Sequence, residues 1–419
     1  MKTGDTLVLF TLHYPYGKKS ETFIENEIEH LADAFKRVII IPREKTHSGQ
    51  RALPQNVEVN DFLVNSGKVD NHFKYILSSF NRLRAVLKIY TYTILNDKKR
   101  VDYLTGGYFI YYLANALKEA KLIESFIEKS NLNNPVFYDY WFVNSTLSLA
   151  YLKSKKSISN LYCRAHGFDV FNERWDCGSV PFRQYILKNI DKVFAISNYN
   201  KEYFNQQLTK YSEKVKVAYL GVRANKFKLE SQLKVDEKTT FLIVSCANLF
   251  PFKQIQRIPE LLCLMKLEHK TIRWVHFGDG PKEKEVLDAA QHLPSNITFD
   301  YKGHVANQKV LDFYSENDVD LFLSLSLKEG LPVSMMEAQS FGVPIMAYSI
   351  FGIPEIVNDT TGVLLDLSAT NEDIAQEIAL IVEHKISFSK SEIKSFFNKN
   401  FSAESNYKNF TKNLLDKND

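Results

Sequence analysis

The sequence predicts an α/β protein made of two parallel-sheet domains, each with helices on both faces of its sheet. Three observations carry that expectation. Short apolar, β-branched runs alternate with longer helical patterns. The chain has 419 residues, which is more than one common domain holds. One polar stretch interrupts the alternation near the middle.

The candidate strands are LVLF (7–10), VIII (38–41), VFY (136–138), VFAI (193–196), FLIV (241–244), WVHF (274–277) and VDLFLSL (319–325). Helical patterns lie between them, such as TFIENEIEHLADAF (22–35), with apolar residues at three- and four-residue steps. Strand–helix alternation of this kind builds parallel sheets covered on both faces. The interrupting stretch, RANKFKLESQLKVDEKTT (223–240), is charged and lacks apolar periodicity, and a new strand opens directly after it. It sets a first domain at 1–225 and a second at 239–400. Two such domains facing each other form a cleft, and ligands of parallel sheets gather at the carboxyl ends of the strands.

Composition narrows the class. Hydrophobic residues make up 45% and charged residues 24%, as in ordinary globular proteins. A formal charge of +4 is too small to argue for nucleic acid. The opening MKTGDTLVLFTLHYPYG has a short apolar run, carries Asp5 early and shows no small-residue cleavage site, so it reads as a buried strand rather than a signal peptide. No stretch approaches the roughly 18 apolar residues of a membrane span, so any membrane contact is expected to be peripheral. Cys163, Cys177, Cys246 and Cys263 have no zinc-knuckle or redox spacing, and Cys163 with His166 falls short of a ligand set. A cytoplasmic location is expected.

Residues 68–100 are strongly basic. Lys68, Lys74, Arg82, Arg84, Lys88, Lys98, Lys99 and Arg100 stand against only Asp70 and Asp97, with many apolar residues interleaved. Such a segment either lies on an anionic membrane surface or packs an apolar stripe inward and turns its basic side to water. The second is the ordinary outcome for a surface helix.

The chemistry concentrates in LFLSLSLKEGLPVSMMEAQSFGVPIMAYSIFGIPEIV, residues 321–357. A Leu-rich strand ends in a polar turn from Ser326 to Gly330. Pro332 is expected at the first helical position, where a missing N–H costs nothing. The helix continues from Val333 to Ser340 and stops at Gly342. The free amides of its first turn, near Leu331, Val333 and Ser334, make an anion site that suits a diphosphate. Glu329 and Glu337 flank it. Their eight-residue separation is roughly 12 Å of helical rise, wider than the roughly 5–10 Å of a glycosidase pair. Two carboxylates on either side of a phosphate site can instead hold two hydroxyl-bearing groups, a ribose and a sugar.

This segment resembles the signature of retaining glycosyltransferase family 4, whose members have the GT-B fold. The E-x7-E element matches Glu329 to Glu337 within EG-x-P and GVP-x-A patterns. The likeness extends through HFGDGPKEKEVLDAA (276–290), ITFDYKGHVANQKVLDFYSENDVD (297–320) and VSCANLFPFKQIQRIPELL (244–262). It implies that Glu337 holds the ribose hydroxyls and Glu329 contacts the transferred sugar. It also implies that amides from Gly330, Leu331, Pro332 and Val333 hold the diphosphate, that Lys253 neutralises leaving-group charge, and that Val305 lies beside the base. No metal or other cofactor is implied. The loop departs from the family's Gly-Arg by carrying Ala247 and Asn248, so a hydrogen-bond donor replaces a cation. Phe351 replaces the first glycine of the Gly-Gly-x-Pro-Glu turn, while Gly352, Pro354 and Glu355 remain.

The first domain matches more loosely. YPYGKKSETFIENEIEHL (14–31) resembles the opening of members that assemble surface polysaccharides, with Gly17 in a loop approaching nucleotide-sugar phosphate or acceptor. RAHGFDVF (164–171) resembles the His-Gly-x-Asp region, which sets His166 near the transferred sugar, and ISNYNKEYF (196–204) the strand and helix after it. FSAESNYKNFTKNLL (401–415) resembles a last helix that crosses back to the first domain. Asp318-Val319-Asp320 has the D-x-D form of a metal site, but it runs directly into a strand and is read as structural. Gly278-Asp279-Gly280-Pro281 lacks the dinucleotide fingerprint and is read as a turn.

The expected activity is retaining transfer of a hexose-type sugar from a nucleotide-diphosphate sugar to a glycan or lipid-linked acceptor. Two rival readings remain. One is a sugar-nucleotide epimerase or glycogen-type enzyme on the same fold. The other is a catalytically impaired scaffold, motivated by Asn248.

Overall fold

The structure, a computed structural model, describes residues 4–17, 21–46, 49–64, 66–96, 107–142, 145–223 and 240–416. The chain divides into two compact units, residues 1–220 with 406–419, and residues 221–405. Most of the stretch read as the domain boundary, 224–239, lies outside the described residues.

The first unit holds a seven-stranded sheet of β1 (Gly4–Thr11), β2 (Phe35–Pro42), β3 (Val57–Val59), β4 (Val136–Asp139), β5 (Asn160–Ala165), β6 (Lys192–Ala195) and β7 (Val215–Val217). Its order is β3-β2-β1-β4-β5-β6-β7, and every pairing is parallel. The second unit holds β8 (Thr240–Cys246), β9 (Thr271–Phe277), β10 (Ile297–Gly303), β11 (Leu321–Ser324), β12 (Ile345–Tyr348) and β13 (Gly362–Leu365). Its order is β10-β9-β8-β11-β12-β13, again all parallel. In each sheet the winding direction reverses once, between β1 and β4 and between β8 and β11. The chain leaves those central strands in opposite directions, which opens a crevice at their carboxyl ends.

The central strands are apolar almost throughout because both faces are covered. Leu7, Val8, Leu9 and Phe10 of β1, and Ile243 and Val244 of β8, have no exposed surface. These are the strands read from sequence. Two of those not read from sequence were hidden by their chemistry. β10 (ITFDYKG) is an edge strand only partly covered, and β5 carries Arg164 in the middle of a buried run.

Arg164 is fully buried and held by an ion pair and two hydrogen bonds, while its Nη2 has no hydrogen-bond partner. Its guanidinium pairs with Glu27 at 3.1 Å, both side chains having no exposure. It donates to the Tyr138 hydroxyl at 2.9 Å and the Ala218 carbonyl at 2.8 Å. It also lies 4.2 Å from the ring centroid of Phe410, on the helix Ala403–Leu415. Glu27 in turn accepts from Tyr138 and Tyr140. A buried charge is tolerable only when paired and hydrogen-bonded in this way. The network ties the chain's end to β4, β5 and the helix Ile24–Ala34.

Candidate functional site

In the second unit the loops after β8, β11 and β12 are laced together. The Leu327 amide donates to the Phe252 carbonyl at 2.8 Å, and the Gly352 amide to the Gly330 carbonyl at 3.2 Å. Lys253 ends a short 3-10 turn, Pro251–Lys253, and its Nζ donates to Glu329 Oε1 at 2.6 Å. Both side chains are mostly covered. Glu329 is therefore no solvated loop residue, and two of the sequence-derived catalytic candidates form one ion pair.

Asn248 is held by backbone alone. Ala247 and Leu249 on either side donate to the carbonyls of Phe277 and Asp279 at 3.0 and 2.9 Å. That close approach needs Gly278, at φ 134°, where an added Cβ would stand 2.0 Å from the Ala247 oxygen. The run 278–281 is thus a packing turn.

The helix Val333–Ser340 starts one residue later than expected. Pro332 has ψ 114° and caps the helix from outside, because its ring fixes φ without committing ψ to the helical region. It also has no N–H, so Gly330, Leu331, Val333 and Ser334 are the amides available to an anion there. The helix ends as expected, with Gly342 at φ 79° just past its C-cap.

Glu337 lies buried on this helix. Asn307 Nδ2 donates to its Oε1 at 2.8 Å. Burial pushes its carboxyl up to about 7, with the Asn307 hydrogen bond working the other way. Val305 is half-buried in the loop that leads to Asn307. Cys246, the last residue of β8, feels both groups. Burial and then the Glu337 charge push its thiol up to about 12, against Lys253. Cys246 and Asn307 were missed as site residues from sequence. Neither carries a motif signal, and only the ends of β8 and β10 bring them to Glu337. Phe351, which stands where the family has glycine, adopts φ 48°, a conformation unusual for a bulky side chain.

The Asp318–Asp320 pair is structural. Asp318 pairs with Lys390, and Asp320 accepts the Leu242 amide at 2.7 Å. Among the described residues no group of three or more His, Cys, Asp or Glu is arranged to hold a metal ion.

In the first unit the loops after β1, β4 and β5 meet around Glu21. Its carboxylate accepts the amides of Leu12, His13 and Tyr14 at 3.0, 2.7 and 2.7 Å, and the Trp141 indole N–H at 2.6 Å. Trp141 lies against the His166 ring at 4.5 Å between centroids, with Tyr140 and Phe23 at 5.1 and 5.6 Å. The His166 amide donates to Asp169 Oδ1 at 2.5 Å. Neither of its buried ring nitrogens has a hydrogen-bond partner, an arrangement that costs free energy unless a ligand supplies one. Glu21 was not singled out from sequence, because a single acidic residue in a loop carries no local signal. Gly17, at φ 81°, already donates its amide to the Gly49 carbonyl at 3.2 Å. It borders a recess of about 880 Å³ lined by Tyr16, Lys45, Gly49 and Gln50 among others.

A phosphate-suited helix start, a lysine–carboxylate pair and a buried carboxylate at a parallel-sheet switch point define the second unit's class. Residues 226–395 match the family described as glycosyl transferases group 1, and the chain carries such a domain. Among individual proteins, the chain is 25% identical over 49% of its length to the yeast (Saccharomyces cerevisiae) phosphatidylinositol N-acetylglucosaminyltransferase GPI3 subunit, covering 46% of that protein. It is 25% identical over 52% of its length to the putative colanic acid biosynthesis glycosyltransferase WcaL of Escherichia coli, covering 57% of it. The chain thus spans about half the length of these curated relatives. Among solved structures it resembles Anabaena HepE in complex with UDP and glucose, with TM-score 0.61, 16% identity, and coverage of 97% of this chain and 98% of that one. That likeness establishes the two-domain GT-B fold.

Proposed function

We propose that this protein is a retaining glycosyltransferase that moves a hexose-type sugar from a nucleotide-diphosphate sugar to a hydroxyl of a glycan or lipid-linked acceptor, at the cytoplasmic side of surface polysaccharide synthesis. The observation that carries the reading is the Lys253–Glu329 ion pair just before the helix Val333–Ser340, with Glu337 buried on that helix. In this reading the amides of Gly330, Leu331 and Val333 take the diphosphate at the positive end of the helix dipole. Glu337 and Val305 seat the nucleoside, Glu329 and His166 meet the sugar, and Asn248 donates to a phosphate oxygen. Gly17 approaches the phosphate side of the substrate. The anomeric carbon breaks its bond to the diphosphate oxygen and forms one to the acceptor oxygen, and the acceptor proton passes to the leaving phosphate. Lys253 and the helix amides stabilise the charge that builds on that phosphate, so the reading includes no metal ion.

UDP in the HepE structure makes a UDP-sugar the first candidate. The names of the relatives, which include a colanic acid enzyme and a phosphatidylinositol-modifying subunit, favour glycan and lipid-linked acceptors. The scaffold reading rests on Asn248, which supplies no charge where the family has arginine.

The test is a thermal-shift and saturation-transfer panel of UDP-, GDP-, ADP- and CMP-sugars on wild type and Glu337→Ala. One sugar nucleotide should stabilise the wild type and not the variant. No response to any would favour the scaffold, and full turnover by Glu337→Ala would remove the assignment of that carboxylate.

A further inference from the structure

Helices His72–Leu77 and Phe80–Asn96 of the first unit present an apolar face that nothing in the described chain covers. In the longer helix Ala85, Val86, Ile89 and Thr93 are buried, at the steps of a single helical face. The opposite face should turn polar in an ordinary surface helix. It does not. Phe80 is 78% exposed, Leu95 65%, and on the shorter helix Phe73 and Leu77 are 66% and 68% exposed. Leu87, Tyr90 and Ile94 are exposed with them. Of the thirteen large apolar side chains exposed among the described residues, seven lie between Phe73 and Leu95. A concentration of this kind marks a binding surface rather than scatter.

Charge identifies the occupant. From Asn71 to Asn96 the charged side chains are Lys74, Arg82, Arg84 and Lys88, with no aspartate or glutamate. Lys74, Arg84 and Lys88 are exposed among the apolar residues. Lysine is depleted from the cores of protein interfaces, whereas lysine and arginine interleaved with Phe, Leu and Tyr suit the headgroup boundary of an anionic bilayer. The packing alternative raised by the sequence accounts for the buried face and leaves this one unexplained. Lys98, Lys99 and Arg100 lie outside the described residues.

We propose that these two helices dock the first unit onto a phospholipid surface bearing anionic headgroups. Phe73, Leu77, Phe80, Leu87 and Leu95 reach the acyl boundary, and Lys74, Arg84 and Lys88 engage the phosphates. The proposal rests on this face alone and not on the nucleotide-sugar site, so the two can fail separately. A chain held there works where lipid-linked acceptors are concentrated.

The test is flotation of the full chain with vesicles of phosphatidylcholine alone or with about 30 mol% phosphatidylglycerol. Wild type should float with the anionic vesicles at least tenfold more than with the neutral ones, and less as salt rises. The variant Phe80→Ser/Leu87→Ser/Leu95→Ser and the variant Lys74→Glu/Arg84→Glu/Lys88→Glu should each lose that binding. Both should keep the wild-type melting temperature, since every altered side chain is exposed. The proposal is overturned if wild type floats with neither vesicle or if both variants bind as wild type does. It is equally overturned if the face proves to be a self-association surface. That outcome would appear as a concentration-dependent dimer in sedimentation, lost in the serine variant, with no vesicle binding.

Discussion

Glu337 shows how one side chain's environment sets its chemistry. Its carboxyl is pushed up to about 7 by burial, whereas in an unfolded chain it titrates near the ordinary 4.5. The folded state therefore binds the extra proton between those values. Its contribution to stability is fully present below about 4.5 and is lost as pH rises through about 7. In the proposed reading Glu337 takes the ribose hydroxyls in its ionised form, which only accepts hydrogen bonds. Nucleotide-sugar affinity should therefore rise about tenfold between pH 6 and pH 8, following the ionised fraction. Titration calorimetry across that range checks this, with Glu337→Gln expected to bind weakly at every pH. A wild-type profile flat from pH 6 to 8 would contradict the assignment. Glu329 and Glu337 were legible as residues in a motif. Their environments were not, because the partner of Glu329 is 76 positions away in the chain and the partner of Glu337 is 30.

At the scale of elements, the candidate site depends on turns that hold backbone close to backbone. The β9 turn at Gly278 and the β8 loop at Ala247 cannot both keep their places if a side chain is added. Gly278→Ala should move the loop that carries Asn248 and Lys253. It should cost more than about 1 kcal/mol of stability and weaken binding of the responsive sugar nucleotide. Denaturant unfolding and a binding isotherm on the same variant check both effects. Unchanged binding in a destabilised protein would separate the turn from the site. Strands such as β1 and β8 were legible because burial on both faces made their runs uniformly apolar. The exact helix start was not, since Pro332 is compatible with either side of the boundary.

At the scale of the whole molecule, residues 406–416 belong to the same compact unit as residues 4–220. Phe410 packs on Tyr138 and Phe194, with ring centroids 5.3 and 4.9 Å apart, and under the Arg164 guanidinium. Phe410→Ala should cost about 3–5 kcal/mol, lowering the transition reported by Trp141 and Trp175 in the first unit. The transition reported by Trp274 in the second unit should change less. Fluorescence melts of the Phe410→Ala protein, with and without Trp274→Phe, separate the two signals. Equal shifts in both would show that the units unfold as one.

By itself the sequence determined the class of fold, the position of the strand–turn–helix at 321–340 and the two glutamates on it. Those features are local. They depend on apolar periodicity, on helix termini and on residues within one strand–turn–helix. Tertiary structure alone decided which partner each charged group meets: Lys253 for Glu329, Asn307 for Glu337, Trp141 for Glu21 and Glu27 for Arg164. It also decided that the basic segment turns a second apolar face outward. The partners follow from which strands lie side by side in each sheet, a long-range arrangement that no window along the chain contains.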